Sequence, residues 1–367
     1  MRVEDFSLRE FKSFEAIDLS PDEHVNILVG DNAQGKTNFL EGIYYLCALR
    51  SFRPLKDKEL VRFGKERANI SADIRSGRET YRMEVGISVA SRREVSINGV
   101  KQQKTADMLG NLNCVLFSPE DLMLIKGSSA VRRRFMNLSL SQLRPRYFDL
   151  LIEYNRLLVR KSRMLKDLEA KPSLFEALEA YNIRLAEVGG GIIAYRDRFV
   201  RKLGEKASAI HADIAAGERL GLGYVTHRGI METGVSEEEI RSRLLNLLNE
   251  NIRLECRAKT CLYGPHRDDI SVCLDGSAAR SYASQGQTRT AALGLKLAER
   301  DIFYEDRGEY PVLLLDDLLS ELDRYRQEYI LRNIGQGQVF ITCCDLNERE
   351  RMLADSVYNI KNSKITS

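Results

Sequence analysis

Gly30-Asp31-Asn32-Ala33-Gln34-Gly35-Lys36-Thr37 fits the pattern G-x-x-x-x-G-K-[ST], and its flanks decide how it is read. Val25 to Val29, just before it, is a short apolar run of the kind that forms a buried strand. Asn38 to Leu46, just after it, carries apolar residues at helical spacing. A strand, a glycine-bounded loop and a helix N-terminus make a nest of backbone N–H groups that can wrap a polyphosphate. In such a nest Lys36 reaches the β- and γ-phosphates and the Thr37 hydroxyl ligates Mg²⁺. The bare pattern can arise by chance; its strand and helix make Gly30 to Asn38 a nucleoside triphosphate site.

The rest of the composition is permissive. At 367 residues, with 43% hydrophobic and 30% charged, the chain is long enough for two structural units or one domain with a large insertion. No apolar stretch approaches the roughly 18 residues needed to span a bilayer. Met1-Arg2-Val3-Glu4-Asp5 opens no signal-peptide h-region. Seven cysteines without a C-x-x-C pair argue against a disulfide framework or zinc site and for a reducing cytoplasm. A net charge of +3 says nothing about a nucleic-acid partner; the distribution of charge says more.

Up to about residue 120 the chain reads as short strands around the loop: Arg2–Leu8, Val25–Val29, Ile70–Ile74, Tyr81–Val89, Glu94–Ile97 and Cys114–Phe117, with Asn98-Gly99 as a hairpin turn. Beyond Pro119 the texture is helical. Phe148, Leu151, Ile152, Asn155, Leu158 and Val159 make one stripe, and Leu174, Leu178, Tyr181, Leu185 and Val188 another. Joined around Ala170-Lys171-Pro172-Ser173, these predict an antiparallel helical hairpin. Mixed texture returns near Leu220, with strands at Leu222–Thr226, Ile270–Leu274 and Val312–Leu315 and a helix after Ser236. The expected architecture is an α/β ATPase head, residues 1–120 and 216–367, split by a helical insertion at 121–215.

Val312 to Leu315 ends in Asp316-Asp317. A buried parallel strand would bring both carboxylates to its C-terminal edge beside the loop. There Asp316 would hold the Mg²⁺ shell and Asp317 would orient or deprotonate an attacking water. The plainer reading is a core strand followed by an acidic turn. The separation of about 280 residues from Lys36 means that something large lies between the two halves of the site. Ser284-Gln285-Gly286-Gln287 precedes a helical stretch and makes an anion site or a simple cap. Ser320-Glu321-Leu322-Asp323 follows the aspartates, and then a strand-like run ends at Thr342.

Taken in order, the phosphate loop, S-Q-G-Q, L-L-L-D-D and S-E-L-D resemble an ABC-type (P-loop) ATPase head, and within that superfamily the RecF family. Supporting runs are Arg50-Ser51-Phe52-Arg53, Pro119-Glu120-Asp121 followed by Gly127 and Arg132 to Phe135, and Gly264-Pro265-His266-Arg267-Asp268-Asp269. The resemblance implies an ATP-dependent homodimer in which Ser284 to Gln287 contact the γ-phosphate bound by the partner. Ser320 and Asp323 would lie at that interface. It also implies weak ATP hydrolysis, action with RecR and RecO in placing RecA on DNA, and a nucleotide-interface or DNA-facing role for Gly264 to Asp269. Several positions depart from the family pattern: Ala33 replaces a glycine, Ser129 a proline and Asn137 an acid. Asp317 stands where many ABC ATPases carry Glu. No histidine follows the last strand, where Thr342-Cys343-Cys344 stands, so Thr342 is the expected γ-phosphate contact.

Between Lys126 and Lys166 eleven basic side chains face two acids, Asp149 and Glu153. Lys126, Arg132, Arg133, Arg144, Arg146, Arg160, Lys161 and Arg163 are candidates for contact with gapped or double-stranded DNA through its backbone, without base readout. The plainer reading is a solvated helix face whose Arg stems cover apolar surface, with Arg132 to Arg134 pairing structurally. Competing functions are a non-hydrolysing ATP-binding scaffold and an SMC-like chromosome or break-repair head, though the insertion is too short for a long coiled coil.

Overall fold

From Arg2 to Phe11 the chain alternates buried and exposed positions, with Val3, Phe6, Leu8 and Phe11 inside, and forms strand β1 (Arg2–Phe11). A two-residue turn at Lys12-Ser13, with Lys12 at φ 54°, reverses it into β2 (Phe14–Leu19). β3 (Val25–Val29) and helix α1 (Lys36–Ala48) flank the Gly30 loop. β4 (Arg67–Ser76), β5 (Glu79–Ser88), β6 (Glu94–Ile97) and β7 (Val100–Lys101) complete an antiparallel sheet in the order β2-β1-β4-β5-β6-β7. Asn98 and Gly99 both adopt positive φ, as a two-residue hairpin turn requires. β8 (Cys114–Phe117) belongs to another sheet.

Next come α2 (Met123–Lys126), α3 (Ser129–Leu143), α4 (Pro145–Asp167) and α5 (Leu174–Ile214). They are followed by β9 (Leu220–Val225), α6 (Glu237–Glu250), α7 (Ile252–Ala258), β10 (Asp269–Leu274), β11 (Ser277–Ala278) and α8 (Ala279–Tyr282). The chain closes with α9 (Gln285–Arg307), β12 (Val312–Leu315), α10 (Arg324–Asn333), β13 (Val339–Cys343), β14 (Ser356–Lys361) and β15 (Lys364–Thr366). This computed structural model describes residues 1–367 except Thr233, Ser320, Glu321, residues 347–350 and 352–353, and Ser367.

The chain divides into two units. The first holds Met1–Leu122, Ala209–Gly217 and Gln285–Ser367; the second holds Met123–Ser208 and Glu218–Ser284. Residues 218–284, assigned to the head in the sequence reading, therefore group with the inserted unit. The physical reason is that β9, β10 and β11 make a separate three-stranded antiparallel sheet, so the mixed texture after Leu220 does not rejoin the head.

In the first unit a six-stranded sheet runs β15-β14-β3-β13-β12-β8, parallel except for the β15 edge. Residues of β8, β12 and β13 are buried throughout, which is why these strands read as continuous apolar runs instead of alternating ones. α1 is apolar around most of its circumference. Phe39 packs edge-on against Phe6 of β1, ring centroids 5.0 Å apart, and also meets Phe340 of β13 at 6.1 Å, so the helix is held between the two sheets.

In the second unit α4 and α5 form the expected antiparallel hairpin. Tyr147 meets Tyr195, Glu153 pairs with Arg184 at 2.7 Å, and Leu165 shares a cluster with Leu178. α5 runs straight through Gly189-Gly190-Gly191. A Cβ on Gly190 would lie 3.1 Å from the Cα of Arg241, so the missing side chain lets α6 lie directly against α5.

Candidate functional site

β3 delivers the chain to Gly30, where a side chain is impossible: a Cβ would sit 2.3 Å from the Ile360 carbonyl oxygen of β14. The loop then passes through two left-handed residues, Ala33 at φ 65° and Gly35 at φ 110°. At Gly35 a Cβ would strike the Phe14 ring at 2.9 Å and Ser13 Oγ at 3.0 Å, so the β1–β2 turn lies against the loop. Gly35 caps α1 without a side-chain hydrogen bond, leaving first-turn N–H groups for a ligand. Lys36 is 4% exposed, and its ammonium donates to the carbonyls of Gly30 (2.6 Å) and Asp31 (3.2 Å) and lies 3.6 Å from Cys344 Sγ. Asp31, Asn32 and Ala33 are exposed, whereas Gln34 is half-buried and accepts from the Asn362 backbone N–H at 2.6 Å.

The strand order explains the other half. β13 lies between β3 and β12, in register with both, so Gly30, Thr342 and Asp316 emerge side by side at one sheet edge. The Thr37 hydroxyl donates to Asp316 Oδ1 at 2.9 Å. Thr342 Oγ1 donates to the same Oδ1 at 2.9 Å and accepts the Asp317 N–H at 2.9 Å. Burial pushes the Asp316 carboxyl up from the usual carboxylate range, and the two hydroxyls work against that rise. Asp317 stands in the left-handed region at φ 47°. Thr342 was expected to meet a γ-phosphate; it is fully buried, with its hydroxyl committed to the two aspartates. Thr37 and Asp316 supply two adjacent hard oxygens, a donor set that fits Mg²⁺, which keeps waters and phosphate oxygens as its remaining ligands.

The sequence reading passed over the β1–β2 turn. Asn38 Nδ2 donates to Ser13 Oγ at 3.0 Å, and from there a cleft of about 560 Å³ opens between Lys12, Asn38 and the Arg62–Lys65 turn. The signal was available, since Phe11-Lys12-Ser13-Phe14 joins two alternating runs. The Arg50–Arg53 segment has a visible role: Ser51 donates to the fully buried Glu41 of α1, and the Arg53 guanidinium lies 3.9 Å from that carboxylate.

Gln285, Gly286 and Gln287 form the first turn of α9, directly after Ser284. Arg326, another omission, binds this turn to the next. It donates to Thr290 Oγ1 (2.7 Å) and the Gly286 carbonyl (3.3 Å) and forms an ion pair with Asp323. Asp323 caps α10 by accepting the Arg326 N–H at 3.0 Å. Ser320 lies outside the described residues.

The basic segment separates into two sets. Lys126 is spent on the carbonyls of Ala279 and Ala283 (3.1 and 2.6 Å). Arg132 pairs with Asp269 at 2.6 Å and donates to the Leu124 and Gly127 carbonyls. Arg133 donates to the Asp268 carbonyl at 2.7 Å, and Arg144 to that of Leu143 at 3.0 Å. Lys161 is fully buried in an ion pair with the equally buried Glu255. Lys126, Arg132, Arg133 and Lys161 are thus structural, which corrects their assignment to DNA. Arg146, Arg156, Arg160, Arg163 and Lys166 are exposed, and among the described residues none makes an ion pair. The last four follow at steps of four, three and three, a single stripe opposite the buried Tyr147, Tyr154, Lys161 and Leu165.

Gly264 to Asp269 turns inward. Asp268, with its side chain fully buried, accepts from Arg196 (3.2 Å), Thr226 (2.7 Å) and the Tyr224 hydroxyl. Tyr154 donates to His266 Nδ1 at 2.8 Å, and His266 Nε2 donates to the Cys261 carbonyl at 3.2 Å. Arg196 also donates to Asn137 Oδ1 at 3.0 Å, the position where the family pattern has an acid. Pro265 and Asp268 anchor the run in the unit's interior, while Arg267 stays exposed.

The chain matches the family described as RecF/RecN/SMC N terminal domain over residues 2–367. It is 38% identical to the DNA replication and repair protein RecF of Agathobacter rectalis, covering all of this chain and 99% of the relative. It is 37% identical to that of Clostridium kluyveri over the full length of both. A solved structure of the recombination mediator protein RecF with ATP, from the RecFOR pathway, superposes with a TM-score of 0.93 at 35% identity, over 99% of this chain and 96% of the other. An Smc head domain from Pyrococcus furiosus, 14% identical with a TM-score of 0.55, shares the fold.

Proposed function

The chain belongs to the RecF family of replication and repair proteins, with an ABC/SMC-type ATPase fold, and from that premise we propose that it is an ATP-switched, DNA-binding dimer acting in recombinational repair. Gly30 to Asn38 wrap the triphosphate, and Lys36 exchanges its two backbone carbonyls for phosphate oxygens. Thr37 and Asp316 hold Mg²⁺, which supplies charge neutralisation at the phosphates. Asp317 orients the attacking water, and Thr342 fixes both aspartates instead of touching phosphate. Ser284 to Gln287 and Asp323 complete the partner's site, so nucleotide binding and pairing of two chains are coupled. Turnover is slow, because no histidine follows β13 and the carboxylate at 317 is the short one.

DNA is held through its phosphates by the α4 stripe of Arg156, Arg160, Arg163 and Lys166, with Arg146 beyond it. In the cytoplasm the dimer acts with RecR and RecO to place RecA on gapped DNA. Among the described residues no helix is long and apolar enough to cross a membrane. The observation that carries the reading is the chain Thr37–Asp316–Thr342–Asp317 at the foot of the Gly30 loop, made of groups up to about 300 residues apart in sequence. The test is anisotropy of a labelled gapped duplex with no nucleotide, ADP or ATP, for the native chain and Ser284→Arg. Binding that tightens only with ATP and is lost in the variant supports the switch; nucleotide-independent binding leaves the scaffold.

A further inference from the structure

Phe63 is the most exposed large apolar side chain described, at 101% relative accessibility, and it sits on a well-anchored turn. The Arg62 N–H donates to the Glu10 carbonyl of β1 at 2.8 Å, and the Lys65 N–H to the Arg62 carbonyl at 3.0 Å. Arg62 and Lys65 both pair with the Glu10 carboxylate, at 3.0 and 2.9 Å. Gly64, at φ 79°, supplies the reversal. An anchored turn therefore presents an aromatic ring wholly to water, which serves a ligand more than it serves folding.

That place is one wall of the cleft that begins at Asn38, one residue after Thr37, and at Ser13, which touches the loop at Gly35. A triphosphate seated on Lys36 and Thr37 must lead its nucleoside end out of the loop. The cleft is continuous with the loop and lies in the size range of small-ligand pockets. Its cations, Lys12, Lys58, Arg62 and Lys65, outnumber its one acid, Glu59, which suits an anionic ligand, and its apolar members Val61, Phe63 and Val89 suit a ring.

We infer that Phe63 is the base-stacking residue of the nucleotide site, closing on the face of the purine when the triphosphate is bound. This rests on the phosphate-loop reading and deepens it. Phe63 offers a π-face and no hydrogen-bonding edge, so it detects that a base is attached to the phosphates.

Comparing ATP with inorganic tripolyphosphate, each with Mg²⁺, separates the two claims, because both ligands share the loop and only one has a base. Phe63→Ala should weaken ATP binding on the order of 10-fold while leaving tripolyphosphate binding unchanged. The chain has no tryptophan, so Phe63→Trp places a single reporter in the cleft; ATP should quench or shift its emission and tripolyphosphate should not. An unchanged ATP affinity in Phe63→Ala, equal losses for both ligands, or an indole emission in Phe63→Trp that ignores ATP would overturn the assignment. Retention of both ligands by Lys36→Ala would instead bring down the phosphate-loop reading on which it stands.

Discussion

His266 gives the inserted unit a pH dependence whose size can be worked from its surroundings. Burial, assisted by the nearby Arg267, His227 and Arg133 charges, pulls its imidazole down to about 4 from the ordinary 6.5; the Cys261 carbonyl resists that fall. The Cys261 carbonyl can only accept, so Nε2 carries the proton and Nδ1 accepts from Tyr154; a second proton on Nδ1 would force that hydroxyl to turn from donor to acceptor. The neutral form is the folded form. As pH falls below 6.5 the unfolded chain takes up a proton that the folded chain refuses until about 4, so stability rises with pH across that window. Between pH 7 and pH 5 the loss is about 2 kcal/mol, approaching 3 at pH 4. His266→Gln keeps an acceptor for Tyr154 and a donor for Cys261 without titrating. Urea unfolding at pH 7, 6 and 5 should show the native chain losing about 2 kcal/mol more than the variant. Parallel curves would mean that His266 is not held neutral by its setting.

Four further outcomes follow from named contacts. Gly30→Ala pushes a methyl to 2.3 Å from the Ile360 carbonyl, so the ATP-induced thermal shift should vanish while far-UV circular dichroism stays native. Arg196→Met strands the buried Asp268 carboxylate and should cost about 3–5 kcal/mol by urea titration, with Asp268→Asn added in the same chain recovering part of it. Thr342→Val removes the hydroxyl between Asp316 and Asp317; ATP turnover should drop about 10-fold, with ATP affinity changed less than about 3-fold, as read by single-turnover hydrolysis and equilibrium binding. Replacing Arg156, Arg160 and Arg163 together by Gln should lower the salt slope of DNA binding by about 3, whereas Lys161→Met should leave the slope alone and destabilise the fold.

The phosphate loop was legible because its chemistry is local: one strand, six loop residues and one helix start lie consecutively in sequence. The apolar runs Cys114–Phe117 and Val312–Leu315 were legible for a related reason, since burial on both faces leaves no polar interruption; Val25–Val29 has one, Asn26, itself fully buried. What could not be read was pairing across long separations. β9 and β10 look like head strands until their hydrogen-bond partners are known to be each other. Lys161 reads as one more cation on a basic helix, and only the position of Glu255, 94 residues on, turns it inward. Thr342 was placed in the right neighbourhood, but its bonds to both aspartates were not foreseen, because the strand order that sets it between them has no local signature. Gly189 to Gly191 carry no local sign of the α6 face that packs against them, and the helix continues through all three.

The strand order also sets a timetable for biosynthesis. β3 pairs with β13 on one side and β14 on the other, so both of its strand neighbours come from the last 30 or so residues of the chain. At roughly 5–20 residues per second a ribosome needs about 15 to 60 s between making β3 and making β13. For that interval Val25-Asn26-Ile27-Leu28-Val29, a short apolar segment with two open edges, waits without partners in the nascent chain. The head is therefore a late-closing fold, and ribosome-bound chains shorter than about 345 residues should capture holdase chaperones that the finished protein ignores.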